Sequence, residues 1–187
     1  MPSRKSVPLI KEHFYHVYNR VAKGLKLFYD DNDYIYYLKL WREVDFLPSA
    51  RLLAYCLMPT HYHLLLQIID EELFPRKMSY FFNTYLHNLK VKHHLRGPYF
   101  PQRYRAKLIT DNHYLMAVCY YIHSNPVEAG LVEHPEDWLY SNYLEFINKR
   151  NGVLIDRDLY HEFIESPEMY EKFINGHYDE EQIEGFI

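Results

Sequence analysis

The sequence predicts an α+β fold built on one antiparallel sheet. Three observations carry that expectation: apolar and aromatic segments of strand length, longer segments whose apolar residues recur at helical spacing, and turn-forming residues between them. The 187 residues, 48% hydrophobic and 25% charged, suit one compact unit with a short extension.

Residues 12–22, Glu12-His-Phe-Tyr-His-Val-Tyr-Asn-Arg-Val-Ala22, alternate roughly and predict the first strand. Asp30, Asp31, Asn32 and Asp33 then offer an N-cap cluster ahead of Tyr34–Trp41, whose apolar spacing predicts a helix. The apolar run 51–58 stops at Pro59-Thr60 and resumes at 61–69, which predicts two adjacent strands. Residues 76–94 place Met78, Phe81, Phe82, Tyr85, Leu86 and Leu89 at helical spacing and end before the Gly97-Pro98 breaker. Residues 100–110 predict a fourth strand. The order β, α, β, β, α, β is the ferredoxin-like arrangement, an antiparallel sheet with helices on one face. An Asp111-Asn112 cap predicts a further helix from about His113 to Ser124, with Pro126 ending it or sitting in a last irregular turn. Residues 131–187 read as short helices with aromatic anchors such as Trp138, Tyr143, Tyr160 and Tyr170. The expected division is a main domain over 1–147 and an acidic helical appendage over 148–187, packed on or near it.

No uninterrupted apolar stretch approaches the roughly 20 residues of a membrane span. The start, Met1-Pro-Ser-Arg-Lys5, lacks the apolar core of a secretory signal, so a cytoplasmic protein is expected. Cys56 and Cys119 sit in apolar segments and read as reduced core thiols, with no spacing for a zinc site or a disulfide framework. The net charge of −4 argues at first against a nucleic-acid partner. Its distribution reverses that reading. Residues 156–187 hold ten acids against Arg157 and Lys172, a net of −8, which leaves residues 1–155 at +4. Between Arg76 and Lys107 there are Arg76, Lys77, Lys90, Lys92, Arg96, Arg103, Arg105 and Lys107 and no acid. Tyr80, Tyr85, Tyr99 and Tyr104 interleave rings able to stack on unpaired bases, so the stripe predicts a nucleic-acid surface. If the acidic tail covers it, deleting 156–187 should tighten DNA binding at low salt.

His61 and His63 are two apart in a predicted strand and so share a face, while Tyr62 turns to the other. Such a pair can chelate one ion, and equally can be two partly exposed sheet histidines. In Tyr121-Ile-His-Ser-Asn125 a phenol and a carboxamide four residues apart share a helix face, whereas Tyr120 is rotated about 100° away. Spacing alone leaves Tyr121 open to being a core or surface aromatic.

Leu57-Met-Pro-Thr-His-Tyr-His-Leu-Leu65 resembles the HUH signature of single-tyrosine transposases, commonly written Met-Pro-Asn-His-Val-His-Leu-Leu. Tyr121-Ile-His-Ser-Asn-Pro-Val-Glu-Ala-Gly130-Leu-Val resembles the Tyr-Ile-His-x-Asn-Pro-Val block of the REP-associated tyrosine transposases. Pro101-Gln-Arg-Tyr-Arg105 and Pro135-Glu-Asp-Trp-Leu-Tyr-Ser141 resemble two further blocks, and all stand in the family's order between about residues 12 and 147. The resemblance implies a ferredoxin-like catalytic domain and a divalent ion, Mg²⁺ or Mn²⁺, held by His61, His63 and Asn125. It also implies Tyr121 as nucleophile in cleaving and rejoining single-stranded or hairpin DNA through a 5′-phosphotyrosine. Thr60 replaces the usual Asn and Tyr62 an aliphatic residue, and neither change removes a ligand. Three alternatives stand beside this. They are a catalytically silent nucleic-acid-binding protein of the same fold, another HUH enzyme such as a relaxase, and a metal-dependent hydrolase in which Tyr121 is dispensable. A homodimer and a monomer are both compatible with the sequence.

Overall fold

The computed structural model describes residues 8–176. Strand β1 (Phe14–Arg20) is followed by α1 (Asp31–Val44), β2 (Ala50–Met58), β3 (His61–Ile68), α2 (Leu73–Lys92), β4 (Arg105–Leu108) and α3 (Asn112–Glu128). A 3₁₀ turn (Pro135–Asp137) and three short helices, α4 (Tyr143–Phe146), α5 (Arg157–Phe163) and α6 (Pro167–Asn175), complete the described chain. The four strands pair antiparallel in the order β2-β3-β1-β4, the ferredoxin-like order the sequence predicts.

The local signals account for most boundaries. Asp30 caps α1 through a capping box with Asp33, which joins two members of the predicted acidic cluster to the helix start. Pro59 and Thr60 form the turn between β2 and β3, and the Pro59 carbonyl accepts from the Leu27 N–H at 2.7 Å. Helix α2 starts three residues ahead of its periodic segment, because Asp70 Oδ1 accepts from the Glu72 and Leu73 N–H groups and Pro75 falls in the first turn.

Two boundaries differ from expectation. The fourth strand spans Arg105–Leu108 rather than 100–110. Pro101 has no N–H to give a ladder, and the preceding turn instead sets the Tyr99 carbonyl 2.8 Å from the Ala22 N–H. Helix α3 runs through Pro126 to Glu128. The turn that the proline interrupts is closed around it: Asn125 Nδ2 donates to the Tyr121 carbonyl at 2.6 Å, and Ala129 N–H donates to the Asn125 carbonyl at 3.0 Å.

Helices cover both faces of the sheet. On one, α1 and α2 pack through Tyr37, Phe81, Phe82 and Tyr85, and Tyr62 lies fully buried beneath them with its ring 4.9 Å from Phe82. On the other, α3 crosses β2 and β3. This double cover explains why β2 and β3 are buried nearly throughout instead of on alternate residues. Leu159 and Tyr160 of α5, Ile164 just after it, and Tyr170 and Ile174 of α6 belong to the same buried cluster as the sheet. Among the described residues no helix is long and apolar enough to cross a membrane.

Candidate functional site

The pairing of β1 with β3 sets Tyr18 opposite His63 and Arg20 opposite His61. Because side chains alternate along a strand, His16, Tyr18 and Arg20 share a face with His61 and His63. The two predicted histidines stand with ring centroids 5.0 Å apart and planes at 89°. Helix α3 lays Tyr121 on this face, its ring 5.3 Å from His63 and 5.9 Å from His16, edge to face in both cases. One turn later, the Asn125 amide interacts with both the His61 imidazole and the Tyr121 phenol. Tyr121, His61, His63 and Asn125, separated by up to 64 positions in the chain, thus meet at one place.

His63 is 4% exposed, and its two ring nitrogens are treated differently. Nδ1 lies 2.9 Å from His16 Nε2, whereas the buried Nε2 has no hydrogen-bond partner. A proton on His63 Nδ1, donated to His16, leaves a lone pair on Nε2. That is the form in which an imidazole binds a metal, with the second nitrogen fixed by a neighbouring acceptor. Burial and the neighbouring His16 hold His63 well below the ordinary histidine range. Burial and then the Arg20 charge lower His61 to about 4, while burial and Lys107 lower His16 to about 3. Both candidate ligands are therefore neutral at pH 7. Two neutral imidazoles with the Asn125 carboxamide beside them make a donor set that fits a divalent ion.

Thr60 Oγ1 lies 3.0 Å from His61 Nδ1, so the residue that departs from the motif still offers that ring a hydrogen-bond partner. Tyr121 is held above the ordinary phenol range by burial and the charge of Glu128, against which Asn125 acts in the opposite sense. Asp30, Asp33 and His93 also come together, away from this site. There the Lys92 ammonium sits 2.7 Å from Asp30 and 2.8 Å from Asp33, filling the place a cation would take. That cluster ties the start of α1 to the end of α2.

The eight predicted DNA-binding cations do not form one stripe. Arg76, Lys77, Lys90 and Lys92 ride on α2, across the sheet from Tyr121. Arg76 pairs with Glu72 at 3.6 Å, Lys77 donates to the Val44 and Asp45 carbonyls at the end of α1, and Lys90 lies over the Tyr99 ring. Lys92 is bound in the cluster just described. Arg96 and Arg103 are exposed in the connection from α2 to β4. Arg105 and Lys107 of β4 stand opposite Tyr18 and His16 in register, on the face that carries Tyr121. Three further members of the site, His16, Tyr18 and Arg20, were not singled out by the sequence. Their alternation along β1 was visible, but its meaning depends on β1 pairing with β3.

No protein-family model and no curated protein matches the chain. A solved structure of a REP-associated tyrosine transposase bound to a REP hairpin does match, with a TM-score of 0.67 over 83% of this chain and 94% of that one, at 16% sequence identity. The chain shares that protein's fold.

Proposed function

We propose that this chain is a metal-dependent strand transferase of single-stranded DNA, with Tyr121 as its nucleophile and hairpin-forming DNA as its substrate class. What supports it is the edge-on approach of Tyr121 to His63, whose buried Nε2 has no hydrogen-bond partner. The shared fold with a transposase bound to a DNA hairpin points the same way. His61, His63 and Asn125 would hold the ion, Mg²⁺ or Mn²⁺, with His16 and Thr60 behind the two rings. When bound, such an ion supplies positive charge to a non-bridging oxygen of the scissile phosphate.

The chain's own part in the reaction is a transesterification. The Tyr121 oxygen forms a bond to phosphorus while the bond from phosphorus to the 3′-oxygen breaks. The phenol proton leaves to solvent and the departing 3′-oxygen takes one up, giving a 5′-phosphotyrosine and a free 3′-hydroxyl. Attack by a second 3′-hydroxyl on that phosphotyrosine rejoins the strand and restores the phenol, with no nucleotide consumed. Arg105 and Lys107, on the Tyr121 face, are the predicted cations best placed to track the strand. Tyr121 meets His63 of its own chain.

The test incubates the protein and Tyr121→Phe with labelled hairpin DNA that carries single-stranded flanks, taken from its own genomic surroundings, with Mn²⁺ or with chelator. A covalent adduct that needs both the phenol and the metal is expected on a denaturing gel. Cleavage that survives in the Phe variant would indicate hydrolysis instead, and binding without any product would leave a catalytically silent DNA-binding protein.

A further inference from the structure

We propose that Arg20 is the phosphate-binding group of this site, gripping a non-bridging oxygen of the scissile phosphodiester beside the ion held by His61, His63 and Asn125. This deepens the strand-transfer reading and rests on it. Arg20 is the last residue of β1 and stands directly opposite His61 in register. Its Nη2 lies 3.4 Å from His61 Nδ1, and the residue is exposed. None of the ion pairs among the described residues includes it, whereas Arg51 and Arg150 each grip a carboxylate. Its charge lowers His61 after burial does, and adds a smaller contribution in the same direction at His63 and Tyr121.

A guanidinium in this position is unfavourable for the ion alone, because two positive charges would then face each other across His61. A phosphodiester between them reverses the sign of that interaction. One oxygen would face the ion and the other the planar donor fork of arginine, whose geometry suits phosphate. The ion and the DNA should therefore bind cooperatively, with Arg20 as the residue that couples them. By linkage, DNA raises the affinity for the ion by the same factor as the ion raises that for DNA. Tyr121, on the same face, then has the phosphorus within its approach and the negative charge of the transition state already matched.

The experiment measures Mn²⁺ affinity by electron paramagnetic resonance in the full chain carrying Tyr121→Phe, with and without a hairpin oligonucleotide with a single-stranded flank. This parent is expected to bind Mn²⁺ about tenfold more tightly when DNA is saturating, within the usual span of coupling between sites. Adding Arg20→Gln should leave Mn²⁺ affinity without DNA equal or higher and abolish the coupling, while Arg20→Lys keeps part of it. A parent without coupling, a Gln variant that retains it, or a Gln variant that loses Mn²⁺ affinity without DNA would overturn the assignment, the last by showing that Arg20 merely supports His61. With Tyr121 present, Arg20→Gln should slow adduct formation about 100-fold. If the unaltered chain forms no adduct, the strand-transfer chemistry fails. Intact coupling in the Phe background, abolished by Arg20→Gln, would still establish Arg20 as the phosphate group.

Discussion

His16 reaches His63 from the neighbouring strand, and that one contact engages Nδ1 and leaves Nε2 of His63 without a partner. The sequence placed His61 and His63 on a common face from strand alternation alone. It did not show that His63 would be buried with one nitrogen engaged, since the partner lies 47 positions away. Replacing His16 with Phe keeps a ring in the buried slot and removes the acceptor. Mn²⁺ affinity measured by titration calorimetry should fall about 10- to 100-fold, the usual effect of losing such an outer contact. An unchanged affinity would show that packing alone orients His63. Tyr62 illustrates the reverse case. Its burial opposite the histidines was legible from alternation, yet the fate of its hydroxyl, buried without a partner, depends on α1 and α2 overhead.

At the scale of elements, α3 is held by a polar network as well as by packing. His123, two residues after Tyr121, is fully buried, with Nδ1 2.6 Å from the Tyr170 hydroxyl of α6 and Nε2 3.0 Å from Asn142 Oδ1. Asn142 in turn accepts from the Tyr55 N–H at 2.6 Å and donates to the Leu53 carbonyl at 2.9 Å, which fixes the tyrosine helix to β2. Burial lowers His123 to about 4. Below the unfolded value of about 6.5 the unfolded chain takes up a proton that the folded chain refuses, so stability is full above that pH and falls towards pH 4. At pH 5 the loss from this one residue is about 2 kcal/mol. Urea unfolding at pH 7 and pH 5 should show His123→Gln less acid-sensitive than the unaltered chain by about that amount. Equal losses in both proteins would remove His123 from the account. The helix itself was legible from its Asp111 cap, but its passage through Pro126 was not, because the bonds that close the turn involve the side chain of Asn125.

Across the whole molecule, the described part of the acidic tail is built into the core. Arg51 of β2 holds Asp156 through two bonds of 2.7 Å, the Tyr160 hydroxyl donates to the Phe146 carbonyl, and Tyr170 closes the His123 network. Deleting 156–187 would remove these contacts, so the expected outcome is loss of cooperative unfolding rather than tighter DNA binding. Residues 177–187 lie outside the described residues. Removing them deletes Asp179, Glu180, Glu181 and Glu184 and none of the contacts just named. That truncation should tighten DNA binding at low salt, an effect that fades as salt screens the charges. Identical affinities at low salt would dismiss the tail as a cover for the basic face. The sequence by itself determined the order of strands and helices and the caps of α1 and α3, because alternation, helical spacing and capping are written in neighbouring positions. Tyr121, His61, His63 and Asn125 it offered only through the resemblance of their motifs to a known family, since spacing left each of them open. Only the tertiary structure decided that α2 carries half of the predicted cations away from the site and that His16 and Arg20 belong to it. Those facts follow from which strand pairs with which and from the sheet face each helix covers, and both are set by contacts between residues far apart in the chain.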